Sequence, residues 1–419
     1  MPESGLFEGK TWQISPVPFL LSESLVEELE WLGRRLHAFY RASNLLYSWS
    51  VEGRAPGWIA DYIDRGKPPW LIEAARETAL RPQLPSVIRP DLILTDHGYS
   101  IAELDSVPGG IGLTAWLNAT YADFGYDIVG GRDGMLEGFA SMLPTRDSPI
   151  AISEESATYR PEMVWLSEQL RAKGLANPEV IDAAGSLPQS GGLYRFFELF
   201  DLPNLPGATE AVQAAAAGQL TMLSPPKPVL EEKLWLTLLW SAPLAQYWRE
   251  HLGGRYFRDL KRVVPQGWVV DPTPIPHHAV LPGLEIPSWH ELKYFSQSQR
   301  ELVLKVSGFS PDGWGSRSVV IGQDTPQAEW SAAIDRALQA FESNPYILQR
   351  FSHSRVFEHP VEDATGEVRW QRGRIRMCPY YFTAEDRTKL GGVLVTYCPP
   401  DKKILHGMRD AALIPAAIA

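Results

Sequence analysis

"RPDLILTDHGYSIAELDSVPGG", residues 89–110, reads as two strands joined by a tight turn at Asp96–Gly98. Side chains alternate faces along a strand, so Glu103 and Asp105 point the same way. Pairing about the turn brings Asp91 near Glu103. Three carboxylates and Arg89 then crowd one end of the hairpin. Like charges repel, so such a group persists where water or a cation offsets the repulsion. The residues alone leave two readings open. One is a structural salt-bridge cluster. The other is a Mg²⁺ site of Asp91, Glu103 and Asp105, with Arg89 facing a developing phosphate charge.

Outward from the hairpin, the texture divides the chain. Residues 22–80 have helical periodicity, with Ser22 as an N-cap and Leu25, Leu29, Leu32 and Leu36 on one stripe. After the hairpin, "GLTAWLNATYADFG" returns to helix. "SPIAISEES", the amphipathic "RPEMVWLSEQLRAKG" and "PEVIDAAGS" alternate strand, helix and strand, which predicts a small α/β layer over 148–225. A proline cluster at "SPPKP" marks a boundary. Acidic Glu154, Glu155 and Glu162 have the chemistry to attract an amine, but a solvated helix start explains them more simply. The pair His277–His278 reads as loop decoration, because no third metal ligand lies nearby.

Three later stretches carry polar groups with more than one use. In "LVLKVSGFSPDGWGSRS", Lys305 ends an apolar strand. The loop beyond holds Ser307, Gly308, Ser310, Gly313, Gly315 and Ser316. Glycines let backbone N–H groups approach a phosphate and hydroxyls add donors, although the pattern is neither a P-loop nor a dinucleotide fingerprint. A mobile hairpin loop with an interfacial lysine fits equally. In "EEKLWLTLLW", Lys233 opens an apolar helix, where a snorkelling surface lysine is the default. "YILQRF", residues 346–351, is a strand that leaves the core at Gln349–Phe351, with backbone groups suited to an adenine edge.

The formal net charge of −11 argues against broad binding to nucleic acid or anionic membranes. The run "LWLTLLW" is too short to span a bilayer, and no basic stretch leads an apolar one at the N-terminus. Cys378 and Cys398 make no zinc pattern and read as two buried thiols of a reducing cytoplasm.

Taken in order, the carboxylate hairpin, lysine helix, lysine–glycine-loop strand and hinge strand resemble the parts of an ATP-grasp site. The carboxylates come first rather than last. That order is similar to the circularly permuted ATP-grasp family, the group containing glutathionylspermidine synthase and its uncharacterised bacterial relatives. Those proteins have an Arg-x-Asp strand, a turn, and a strand ending in Glu-x-Asn before a Thr/Pro-containing turn and a helix. Here Asp105 stands where Asn is usual. "SEESATYRPEMVWLSEQL" resembles the segment after their hairpin. Lys233 matches their first nucleotide lysine, with Glu232 where Asn often precedes it. Lys305 matches the second lysine and "YILQRF" the hinge. The likeness covers residues 85–419 and includes no amidase domain.

The resemblance implies an α+β chain: an ATP-grasp fold in circularly permuted order, with a helical N-terminal region and a small α/β (pre-ATP-grasp-like) layer. The expected divisions are a helical region at 1–84, the metal hairpin and helix at 85–147, the α/β layer at 148–225 and nucleotide-binding subdomains at 226–419. Asp91, Glu103 and Asp105 would hold Mg²⁺ on ATP, and Arg89 would steady the transferred phosphoryl. Lys233 and Lys305 would contact phosphates. Ser307, Gly308, Gly313, Gly315 and Ser316 would close over them, and Gln349 and Phe351 would read adenine. The implied activity is ATP- and Mg²⁺-dependent joining of a small-molecule carboxylate to an amine through an acyl phosphate, in the cytoplasm. A nucleotide- or partner-binding relative without catalysis and a small-molecule kinase are the alternatives. On this reading Asp91→Ala or Glu103→Ala abolishes ATP turnover and leaves the fold intact. The acid, the amine and the oligomeric state are not written in the sequence.

Overall fold

The computed structural model describes residues 5–7, 13–276, 278–313, 317–362, 365–384, 387–402, 404–405 and 411–419. The elements run in chain order β1 (Phe19–Leu21), α1 (Glu23–Val51), α2 (Trp58–Asp64), α3 (Pro69–Arg76), β2 (Val87–Thr95), β3 (Gly98–Asp105), α4 (Ile111–Asp123) and α5 (Gly134–Met142). Next come β4 (Ile150–Ile152), α6 (Arg160–Ala172), β5 (Val180–Asp182), β6 (Gly191–Phe196), α7 (Pro206–Ala216) and β7 (Leu220–Leu223). They are followed by α8 (Leu234–Leu238), α9 (Ala245–Val263), β8 (Gly267–Val269), β9 (Leu302–Val306), β10 (Val320–Ile321), α10 (Gln327–Gln339) and β11 (Tyr346–Arg350). The last four strands are β12 (Val356–Glu362), β13 (Val368–Ala384), β14 (Arg387–Cys398) and β15 (Ala412–Ile418).

Two compact units share the chain. The first holds residues 1–41, 74–226 and 353–419; the second holds 42–73 and 227–352. Residues 353–419, grouped with 226–352 on sequence, belong to the first unit because β13 pairs with β2. Residues 42–73, read with the N-terminal helices, pack in the second.

The first unit contains two sheets. A seven-stranded sheet runs β1-β15-β14-β13-β2-β3, with β12 on β13. The hairpin of β2 and β3 forms around Asp96–His97, and Gly98 leaves it at φ +129°, a left-handed value open to glycine. The second sheet is parallel, in the order β5-β4-β6-β7, with α6 and α7 as crossovers. Its strand β4 is the unbroken apolar run Ile150–Ile152, buried throughout, as a strand covered on both faces requires.

The second unit is built on the antiparallel sheet β10-β9-β11-β8. Leu302 and Leu304 of β9 and Leu348 of β11 meet Trp330, Ile334 and Ala337 of α10, all buried. That face is the unit's core. The opposite face carries the groups of interest.

Candidate functional site

In the first unit, the hairpin register sets Arg89 opposite Asp105 and Asp91 opposite Glu103. Asp91 is held by two guanidiniums rather than one. Arg89 Nε lies 3.2 Å from its Oδ1, and Arg376 NH1 of β13 donates to its Oδ2 at 2.9 Å. Burial pushes the Asp91 carboxyl up, but Arg376 and Arg89 outweigh it and hold the group below its ordinary value. The Cys378 thiol, one alternate position along β13, donates to Asp91 Oδ1 at 3.4 Å. Burial and that carboxylate push the thiol up to about 12, so it stays protonated. Sequence reasoning missed Arg376 and Cys378.

Asp105 differs. Arg89 NH2 reaches its Oδ2 at 3.0 Å, and Val107 N–H donates to its Oδ1 at 2.8 Å. Burial nevertheless holds this carboxyl above its ordinary value, helped by Glu103 and Asp91. The three carboxylates therefore divide. Asp91 is held by Arg89 and Arg376, while Asp105 has Arg89 and lies beside Glu103. Two neighbouring carboxylates fit Mg²⁺, which takes one or two from a protein and completes its shell with phosphate and water oxygens. Among the described residues no three His, Cys, Asp or Glu side chains form a cage for a metal ion. Glu103 and Asp105 would supply part of such a shell. Asp91, expected as a third ligand, has both oxygens engaged by the arginines and the thiol.

The Val-Pro-Gly-Gly sequence after Asp105 also has a structural cause. Gly109 carbonyl accepts from Arg89 NH1 at 3.1 Å and from Tyr380 OH at 2.7 Å. A Cβ at Gly109 would lie 2.2 Å from the Tyr159 ring. Gly110, at φ +89°, opens α4 and donates its N–H to Glu162 Oε1 at 2.6 Å. Glu162 is thus buried and bonded, not part of a solvated helix start. Glu154 is exposed.

In the second unit, Lys305 pairs with Ile347 and Val303 with Gln349. Facing partners share a side, so Lys305 and Gln349 lie on the sheet face opposite the core. Gln349 is buried, and its Nε2 has no hydrogen-bond partner. A buried amide donor without an acceptor is costly, and a polar ligand there would offset the cost. The hinge backbone is less available than expected. Phe351 N–H donates to Glu301 carbonyl at 3.0 Å, and Arg350 N–H to Gln266 carbonyl at 2.9 Å.

The glycine loop is fixed at its base. Lys233 N–H donates to Ser307 carbonyl at 3.0 Å, and Leu234 N–H to Ser307 Oγ at 2.9 Å. The Ser307 hydroxyl donates to Glu232 Oε2. Fully buried, Ser307 anchors the loop instead of facing a phosphate as expected. Gly308 is needed because a Cβ there would come within 2.8 Å of Glu232 Oε1. Lys233 Nζ donates to Gly313 carbonyl at 3.2 Å. Gly315, Ser316 and His277 lie outside the described residues.

Glu232, the departure from Asn, is matched by a cation that sequence reasoning missed. Lys67 Nζ lies 2.5 Å from Glu232 Oε1, and both side chains are almost wholly buried. The only sequence signal was a lysine between a glycine and two prolines, Gly66 to Pro69, just ahead of α3.

A second lysine of this unit is also buried. Lys227 is 2% exposed and donates to Asn44 Oδ1 at 2.5 Å. Burial pulls its ammonium down to about 7. An unfolded lysine titrates near 10.4, so between these values the unfolded chain binds more protons and stability rises with pH. Going from about pH 7 to about pH 9 should add about 2 kcal/mol relative to Lys227→Met, read from unfolding midpoints at each pH. Equal pH slopes in the two proteins would remove Lys227 as the cause.

No protein-family model matches the chain, and no curated protein matches it. Its fold is similar to that of a glutathione synthetase-like effector from Globodera pallida, solved in apo form. The TM-score is 0.56 at 9% identity, over 98% of this chain and 91% of the other. A candidate gamma-glutamylcysteine synthetase from Methylobacillus flagellatus KT aligns over 95% and 89% at 11% identity, with a TM-score of 0.43, too low to bear on the fold. The chain has a glutathione synthetase-like fold, mixed α/β with the sheets described above. Among the described residues no helix is long and apolar enough to cross a membrane.

Proposed function

We propose that the chain is an ATP-dependent carboxylate–amine ligase of the circularly permuted ATP-grasp type, acting on small molecules in the cytoplasm. One observation carries the reading. Lys305 shares a sheet face with the unpartnered amide of Gln349, and that strand leads into the glycine loop tethered to Lys233. Cations, an orphaned polar atom and a loop with close backbone approach suit a triphosphate and its base. The fold likeness agrees with this chemistry, and the order of hairpin before lysines agrees with the permuted family.

On this reading Lys233 and Lys305 bind ATP phosphates, and Gln349 uses its side-chain amide toward adenine. Arg89, fixed by Asp91, Asp105 and Gly109, steadies negative charge on the transferred phosphoryl. Glu103 and Asp105 would hold Mg²⁺, which supplies charge neutralisation at the phosphates. The substrate carboxylate takes the γ-phosphoryl, ADP leaves, and an amine displaces phosphate to give an amide.

Lys305→Ala should weaken ATP binding about ten- to hundredfold, the range for one charge-assisted contact. Unchanged affinity would take Lys305 out of the nucleotide site. The activity itself is tested by ADP release over a matrix of carboxylic acids and amines. ADP with amide formation supports the ligase. ADP with a phosphorylated product and no amide supports a kinase, and ATP binding without turnover under any pair supports a silent relative.

A further inference from the structure

The inner half of β13 carries a row of polar groups that the proposed chemistry does not use. Arg372, Arg374 and Arg376 alternate along this strand, so all three share one face, about 7 Å apart. Exposure falls along the row. Arg372 is exposed and sits opposite Glu358 of β12, Arg374 is half-buried, and Arg376 reaches Asp91. On β14 the facing partners are Cys398 opposite Arg374 and Thr396 opposite Arg376. Ile93 of β2 faces Arg376 from the other side, and Leu405 packs on Cys398.

Three buried polar atoms on this face lack a hydrogen-bond partner: Arg374 Nε, Arg376 Nε and Thr396 Oγ1. Thr396 is fully buried. The Arg374 side chain makes no hydrogen bond or ion pair with any described residue, though a guanidinium carries five donors. Folding desolvates these three atoms without giving them a hydrogen bond. Arg376 and Arg89 share one carboxylate, Asp91, and Arg374 adds a further cation on the strand face of Arg376. In a chain of net charge −11 such a spot is unusual.

We propose that Arg374, Arg376 and Thr396 form a subsite for a substrate oxyanion, a carboxylate or phosphate group accepting from both guanidiniums and the hydroxyl. Planar guanidinium forks match such oxygens. The assignment deepens the ligase reading, on which it rests for the anion's role. A substrate acid with a second carboxylate and a phosphate group share this chemistry, while a polyamine lacks it.

The full-length protein is titrated with glutarate and with inorganic phosphate at fixed ionic strength, by calorimetry and by melting temperature. Wild type should bind at least one of them. Arg374→Met should weaken that binding about tenfold or more, and Thr396→Val severalfold. In anion-free buffer Arg374→Met should melt no lower than wild type, because it removes a charge without a partner; an arginine with a structural role would lower it. Tighter glutarate binding identifies the acid substrate as the source, and tighter phosphate binding the phosphoryl group. No binding of either anion, or equal binding by wild type, Arg374→Met and Thr396→Val, overturns the subsite. Mg²⁺–ATP is titrated in parallel. If ATP binds and the anions do not, only the subsite fails. If the anions bind through Arg374 and ATP does not, only the nucleotide reading fails.

Discussion

Glu232→Ala is expected to destabilise the protein by about 3–5 kcal/mol, the cost of leaving one partner of a buried ion pair alone. Lys67, with almost no access to water, would lose the carboxylate 2.5 Å away. The Ser307 hydroxyl would lose its acceptor, leaving the backbone bond from Lys233 N–H and the bond from Leu234 N–H to hold the base of the glycine loop. Replacing both partners should behave differently. Lys67→Met with Glu232→Met removes the two desolvation penalties together, so the double variant should lie within about 2 kcal/mol of wild type. Denaturant midpoints of the single and double variants decide this. A single variant no less stable than the double would show that the pair carries no coupling.

Asp91→Ala is the second large effect, also about 3–5 kcal/mol. The sequence reading expects this substitution to spare the fold. The structure changes that expectation, because Asp91 is 6% exposed and anchors both Arg89 and Arg376. Its removal leaves two guanidiniums facing each other across a buried gap, with the Cys378 thiol losing its acceptor. Glu103→Ala should separate from it. Glu103 is only partly buried, so stability should hold while Mg²⁺-dependent turnover falls. A midpoint for Asp91→Ala matching wild type would contradict the clamp.

The hairpin was legible because its signals are local. Apolar runs, a tight turn with Gly98 and face alternation fix which carboxylates share a side. The Gly-Gly pair was legible as a turn, but not as the close approach of Tyr159 and Glu162, which come from α6 and the turn before it. Arg376 was not legible. It meets Asp91 only because β13 pairs with β2, across 285 residues. Lys67 was hidden for the same reason, and with it the explanation of Glu232. Long-range pairing also moved residues 353–419 out of the group in which the sequence put them. Residues that neutralise a charge tend to arrive from elsewhere in the chain, so a sequence shows the charge before it shows the partner.

The most direct test is the melting temperature with Mg²⁺ alone, with Mg²⁺–ATP and with Mg²⁺–GTP, in wild type and Lys305→Ala. ATP at about 100 times its dissociation constant should stabilise the native protein by roughly 2.7 kcal/mol. The account predicts an upward shift with Mg²⁺–ATP, beyond that of Mg²⁺ alone or Mg²⁺–GTP, that is largely lost in Lys305→Ala. No shift with any nucleotide, or the same shift in both proteins, would contradict a nucleotide site on this sheet face.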